Sequence, residues 1–260
     1  MVKLMLHGIF DTHAHYDDAR FAELLDEVLE CQLAGGVSYI INCGSDEASS
    51  EHSIALAEKY DFIYAAVGVH PEQAGSVQDG WLARIESLAS HPKCVAIGEI
   101  GLDYHYPEPS RELQKAAFRA QVLLANRLKL PIEVHDRDAH GDVFAIISEL
   151  RPHGCLHRYS GSPEQAHEYA KLGMHLGIGG ALTYHNSKKE IATVEQLPLE
   201  SLLLETDCPY LAPAQRRGTT STSEMISIVA ERISEIKGNV TPQQIIDITT
   251  ANAKALFRIK

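Results

Sequence analysis

Cysteine is scarce in this chain and forms no pattern. Five cysteines in 260 residues, an odd number with no C-x-x-C spacing, offer neither a disulfide framework nor a thiolate zinc knuckle. Cys43, Cys94, Cys155 and Cys208 lie in or beside apolar runs, where a buried thiol behaves as a small hydrophobe, so a reducing, cytoplasmic setting is expected. Positive charge is also short. Lys and Arg number 23 against 35 Asp and Glu, a formal net charge of −12, which excludes a broad basic face for coating nucleic acid. It leaves room for one strand end entering a site whose positive charge comes from metal. No window approaches the roughly 18 apolar residues of a membrane span, and the opening MVKLMLHGIFDTHAH does not read as a signal peptide. No low-complexity stretch or Pro/Gly/Ser linker divides the chain, so residues 1–260 are expected to form one domain. With 45% hydrophobic and 22% charged residues the composition is ordinary for a globular protein.

What is present is a rhythm. Short apolar, β-branched runs at 8–15, 37–44, 62–70, 94–103, 131–136, 154–160, 174–180 and 202–209 alternate with amphipathic stretches. The segment 20–34, RFAELLDEVLECQLA, places Phe21, Leu24, Leu25, Val28, Leu29 and Leu33 on one helical stripe. Asp17 and Asp18 are expected to begin that helix. Ser162 before Pro163 and Thr241 before Pro242 are N-cap signals, and a long helix follows Ser110. Strand and helix repeated in this way predict an α/β fold, a parallel sheet closed into a (β/α)8 barrel; such barrels run to about 250 residues. The irregular stretch 209–223 is expected to form a loop over the barrel mouth.

Catalytic side chains in such barrels come from the carboxyl ends of the strands. His13 and His15 stand two apart at the end of the first strand, a spacing that puts both on one face. His70 ends the third, Glu99 lies between glycines on the fourth, His135 ends the fifth, His157 the sixth and Asp207 the eighth. A lone histidine at a strand end is more often structural than a ligand. The group departs from that reading because five histidines and two acids converge on one barrel face. Imidazoles with carboxylates suit Zn, Mn, Fe, Co or Ni without choosing among them, and a buried Glu99 on an apolar strand is costly unless it meets a cation. Glu133 is expected to face outward or meet a helix, Asp11 to bond within the barrel floor, and His105 to edge the site. The second and seventh strands end in glycine and small residues. Arg137, Arg158 and the Arg216-Arg217 pair are candidate phosphate contacts.

At these residues the chain resembles the TatD family of metal-dependent hydrolases of the amidohydrolase superfamily. The matching strings are DTHAH from Asp11, GVHP from Gly68, GEIGLDY from Gly98, VHDRDA from Val134, LHRYSGS from Leu156, LLETDCPYLAP from Leu203 and NAKALF from Asn252. The resemblance implies two divalent ions (Zn, Mg, Mn or similar). His13 and His15 would hold the first, Glu99 would bridge, and His135 and His157 would hold the second. Asp207 would be a ligand of the first ion and the proton acceptor, while His70 would face substrate. The implied activity is hydrolysis of DNA phosphodiesters, often as a 3′ to 5′ exonuclease, on a DNA or nucleotide partner. Relatives carry an Asn-Glu/Thr-Pro motif after Arg-Gly; here the chain reads Arg217-Gly218-Thr219-Thr220-Ser221-Thr222-Ser223, which bears on substrate choice. Two other readings remain open: a hydrolase of a small amide, ester or lactone on the same metal pair, and a metal-holding partner protein without turnover.

Overall fold

The computed structural model describes residues 5–260. Eight strands pair in parallel in chain order, β1 (Ile9–Ala14), β2 (Val37–Cys43), β3 (Ile63–Val67), β4 (Cys94–Asp103), β5 (Ile132–Arg137), β6 (Gly154–Leu156), β7 (His175–Ile178) and β8 (Leu202–Leu204). The ring closes where Ala14 bridges Cys208 and the backbone N–H of Asp207 donates to His13 O at 3.0 Å. The helices lie between the strands: α1 (Leu25–Ala34), α2 (Glu47–Lys59), α3 (Trp81–Ala89), α4 (Arg111–Leu128), α5 (His140–Leu150), α6 (Pro163–Lys171), α7 (Lys188–Gln196) and α8 (Ile226–Lys237). This is the (β/α)8 barrel expected of the strand–helix rhythm. No helix among the described residues is long and apolar enough to cross a membrane.

A further helix, α9 (Pro242–Phe257), follows the barrel units. Thr241 and Gln244 form a capping box at its start, and Pro242 occupies its first turn, where a missing N–H costs nothing. Its last turn brings Leu256 and Phe257 into one buried cluster with Phe10, Ile41, Ala96 and Leu203, and so stops the end of the barrel opposite the mouth. Ser162 caps α6 through the backbone N–H of Gln165, and Ser110 caps α4 through that of Leu113.

The stretch before α1 departs from expectation. Residues 17–24 are turns, and the helix begins only at Leu25. Asp17 accepts from Asn42 Nδ2 at 2.8 Å and Asp18 grips Arg20 through both carboxylate oxygens, so these acids pin a loop at the mouth instead of starting a helix. The stripe is correspondingly incomplete: Phe21 and Leu29 are buried, whereas Leu24 is 55% and Leu33 45% exposed, and Gln32 is buried in their place. Strands six to eight are shorter than the apolar runs suggest. The chain leaves the ladder after Leu156, Ile178 and Leu204 and climbs to the mouth as irregular backbone.

Candidate metal centre at the barrel mouth

The register of β1 against β2 shifts between Asp11 and Ala14. At this irregularity the chain turns His13 into the barrel, although Asp11, two residues earlier, accepts from the Thr206 backbone N–H, the Thr206 hydroxyl and the Ser223 hydroxyl. Asp11 therefore ties β1 to the eighth-strand end and the turn before α8; it does not sit in the barrel floor. Burial pushes its carboxyl up to about 6 against those hydrogen bonds.

His13, His15, Glu99, His135, His157 and Asp207 converge around one point at the carboxyl ends of the strands. His13 Nε2 is 3.2 Å from His15 Nε2 and 3.5 Å from Glu99 Oε2. Glu99 Oε1 is 2.8 Å from both His157 Nε2 and His135 Nδ1, while Asp207 Oδ1 is 3.6 Å from His15 Nε2. The opposite ring nitrogens are turned away. His15 Nδ1 donates to Cys43 O at 2.9 Å, His13 Nδ1 to Glu133 Oε2 at 3.1 Å, and His135 Nε2 to Asp103 Oδ2 at 3.1 Å. Each of these rings thus points one nitrogen at the shared centre, able to bind a cation there once that nitrogen is free of its proton, while the partner of the other nitrogen fixes the tautomer. His13, His15 and Glu99 offer donor atoms within 4.8 Å of one another, as do His70, Glu99 and His135. Nitrogen and carboxylate donors so placed fit divalent cations.

The electrostatics are those of acids and imidazoles forced together. Burial alone would lift the Glu99 carboxyl, but His157, His70 and His13 hold it well below its ordinary value. Asp207 follows the same balance, with His15 and then His157 outweighing burial. Burial drives His157 down to about 4 and His70 to about 3, whereas Asp103 and Glu99 overcome burial at His135 and raise it to about 9.

A cavity of about 460 Å³ opens above the cluster, lined among others by His70, Arg137, Arg158 and Tyr210. Arg158 Nη1 lies 3.8 Å from Asp207 and Arg137 Nη1 3.9 Å from Asp103. His70 Nδ1 accepts from the Glu72 backbone N–H at 3.2 Å, so a neutral ring carries its proton on Nε2, which faces Glu99 at 3.7 Å. Arg216 and Arg217 do not join this cavity: Arg216 borders a hollow beside Gly35 and α8, and Arg217 lies over the Tyr184 ring. The His105 side chain turns to Asp138, and only its backbone N–H reaches the site, donating to Asp103 at 2.9 Å.

Glu133 corrects an expectation. It is fully buried inside the barrel, where its Oε2 takes the His13 N–H and the Cys43 thiol, the latter at 2.7 Å. The period of two explains why: Glu133 shares a face of β5 with His135. Glu205 lies beneath the site with Oε2 3.9 Å from His157 Nδ1, and burial lifts its carboxyl well above the usual range. The small residues of the seventh strand find their reason here. A Cβ on Gly177 would stand 2.6 Å from Glu205 Oε2. The second strand also contributes, through the Cys43 carbonyl and thiol. Asp103 on β4 and Glu133 on β5 were accessible to the same alternation that picked out His13 and His15, whereas Glu205 stands past the end of β8.

A model of TatD related DNases matches residues 10–258. Among curated relatives, the chain is 42% identical over 254 residues to an uncharacterized metal-dependent hydrolase of Bacillus subtilis, YabD, covering 96% of this chain and 99% of that one. It is 32% identical over 264 residues to the 3′-5′ ssDNA/RNA exonuclease TatD of Citrobacter rodentium, covering 96% and 98%. Among solved structures, the TatD homologue YjjV of Escherichia coli superposes with a TM-score of 0.92 at 31% identity, covering 97% and 99%.

Proposed function

We propose that this chain, which belongs to the family of TatD related DNases and is a metal-dependent hydrolase of that type, cleaves phosphodiester bonds of nucleic acid, removing nucleotides from a 3′ end. The observation that carries the reading is the inward convergence of His13, His15, Glu99, His135, His157 and Asp207 beneath a cavity rimmed by Arg137 and Arg158. His13, His15 and Asp207 would hold one divalent ion, His135 and His157 a second, and Glu99 both. Bound in this way, divalent ions supply Lewis acidity toward a phosphoryl oxygen and a water acidic enough to attack near neutral pH. The name of the Citrobacter relative supports a single-stranded substrate.

The chain's own residues then have distinct tasks. Asp207, held ionised by His15 and His157, accepts the proton of the attacking water and returns it to the leaving oxygen. His70 donates from Nε2 to a phosphoryl oxygen, as its Nδ1 is committed to Glu72. Arg137 and Arg158, half-exposed at the mouth, meet phosphates as charged hydrogen-bond donors. Their charge acts locally, within a Debye length of about 8 Å at physiological salt, so a chain of net charge −12 can admit one anionic strand end.

The test is a panel of 5′-labelled single-stranded DNA, duplex DNA and RNA oligonucleotides with Mg²⁺, Mn²⁺, Co²⁺ or Zn²⁺, run beside a panel of carboxylic esters and lactones. Stepwise shortening from the 3′ end, abolished by EDTA and by a 3′ block, is expected. Turnover of esters or lactones with intact oligonucleotides overturns the nuclease assignment. Metal-replete protein that turns over neither panel fits the metal-holding partner instead.

A further inference from the structure

We infer that Glu133 and Glu205 form a lower deck of positioning carboxylates that hold the deep nitrogens of His13 and His157, and so set how tightly the mouth binds its cations. The inference rests on the metal-holding part of the proposed function and not on the substrate.

Three observations carry it. The two imidazoles are used alike: each turns Nε2 up to Glu99, at 3.5 Å for His13 and 2.8 Å for His157, and Nδ1 down to a buried acid. The acids are expensive where they stand. Glu133 is 0% and Glu205 1% exposed, and Glu133 Oε1, both Glu205 oxygens and His157 Nδ1 have no hydrogen-bond partner. A buried acid with oxygens left unpartnered costs several kcal/mol or gives up its charge, so apolar packing would serve a purely structural floor better. Thirdly, the barrel makes room for the Glu205 carboxyl: a Cβ on Gly177 of β7 would stand 2.6 Å from its Oε2.

The two rings are held differently. The His13 N–H is engaged by Glu133, whose same oxygen also takes the Cys43 thiol. His157 Nδ1 and Glu205 Oε2 face each other at 3.9 Å, beyond hydrogen-bond distance. A carboxylate behind a ligating imidazole fixes which nitrogen carries the proton and raises the basicity of the other; losing such a group typically costs about 10–100-fold in metal affinity. The deck makes no contact with the cavity where substrate enters. Its role is positioning.

The experiment compares Zn²⁺ affinity, by competition with a chromophoric chelator, for the full chain and for Glu133→Gln, Glu205→Gln and Gly177→Ala, with the Co²⁺ absorption spectrum recorded on each. Gly177→Ala displaces Glu205 while keeping its carboxyl group. Expected are a 10–100-fold weaker affinity in each variant, an altered Co²⁺ spectrum, and metal-free unfolding midpoints close to the parent's. Parental affinity and spectrum in the folded glutamine variants overturn the inference. Imidazole Nδ1–H proton shifts of the unaltered Zn²⁺-loaded protein decide it should a variant not fold: strongly downfield, slowly exchanging Nδ1 protons on both His13 and His157 support it, and Nδ1 protons that exchange like those of a solvent-bonded ring refute it. A parent chain that binds no Zn²⁺ defeats the metal reading itself, whereas equal binding by parent and variants defeats only the lower deck.

Discussion

The imidazoles of His13 and His157 stack face to face, with ring centroids 3.9 Å apart and planes inclined by 15°. Two buried rings so close cannot both be cations, and the structure resolves the conflict unequally. At His13, Cys43 and Glu99 overcome burial and raise the ring well above its ordinary value, whereas burial and the His13 charge push His157 down to about 4. The shared counter-charge is Glu99, which both Nε2 atoms approach.

Glu99→Gln keeps the shape of that side chain and removes its charge. Two cations held without the shared carboxylate repel one another at short range. The variant is expected to bind one metal equivalent fewer and to lose most of its activity while remaining folded. Elemental analysis and circular dichroism check this. Two full equivalents with activity intact would remove Glu99 from the bridging position.

Arg158 offers a test of the mouth that leaves the cluster alone. Its guanidinium is half-exposed and 3.8 Å from Asp207, close enough to share a phosphate but too solvated to matter much for folding. Arg158→Ala is expected to weaken oligonucleotide binding similarly for all sequences and to reduce the log–log salt slope by about 1, as for a single lost phosphate contact. Binding isotherms at several salt concentrations measure it. An unchanged slope would mean that Arg158 meets solvent only.

Thr241→Ala tests a feature far from the chemistry. The Thr241 hydroxyl accepts from the Gln244 backbone N–H and the Gln244 side chain returns the contact, a reciprocal cap on α9. Loss of such a cap costs about 1 kcal/mol, which for a chain of this size corresponds to a fall of roughly 2–4 °C in Tm. Because α9 stops the barrel bottom through Leu256 and Phe257, the loss should appear in global unfolding and not as local fraying alone. Differential scanning calorimetry reads it, with kcat unchanged.

That cap was legible in the sequence because it is local: a threonine directly before a proline. The barrel was legible for a related reason, as each βα unit carries its own periodicity. What the sequence concealed was where local rules meet closure. The shift in β1 breaks the alternation between Asp11 and His13, so identical spacing sends one to Thr206 and Ser223 and the other into the site. Glu133 did obey the alternation, but a buried acid is improbable on cost alone; Glu205 stands past the end of β8, and only the facing Gly177 reveals the space made for it. Asp17 and Asp18 resemble helix-opening acids until Asn42 and Arg20 are seen to hold them.

Asp207 has two tasks under the proposed function, and they can be separated. As a ligand alone, it contributes affinity, and Asp207→Asn at saturating metal should recover turnover. As a proton acceptor as well, it cannot be replaced by an amide, which takes no proton near neutral pH. Its carboxyl is held below the ordinary range by His15 and His157, so it is ionised and ready to accept across the neutral range. A positioned acid–base group contributes typically about 10²–10⁴-fold in rate. Asp207→Asn, saturated with metal and still binding oligonucleotide, is therefore expected to lose turnover on that scale. The measurement is kcat against metal concentration, with oligonucleotide binding followed separately by fluorescence anisotropy. Return to nearly the parent rate at high metal would make Asp207 a ligand and nothing more. Full activity without added metal would exclude it from the centre, and the eighth strand would then contribute only Glu205 from below.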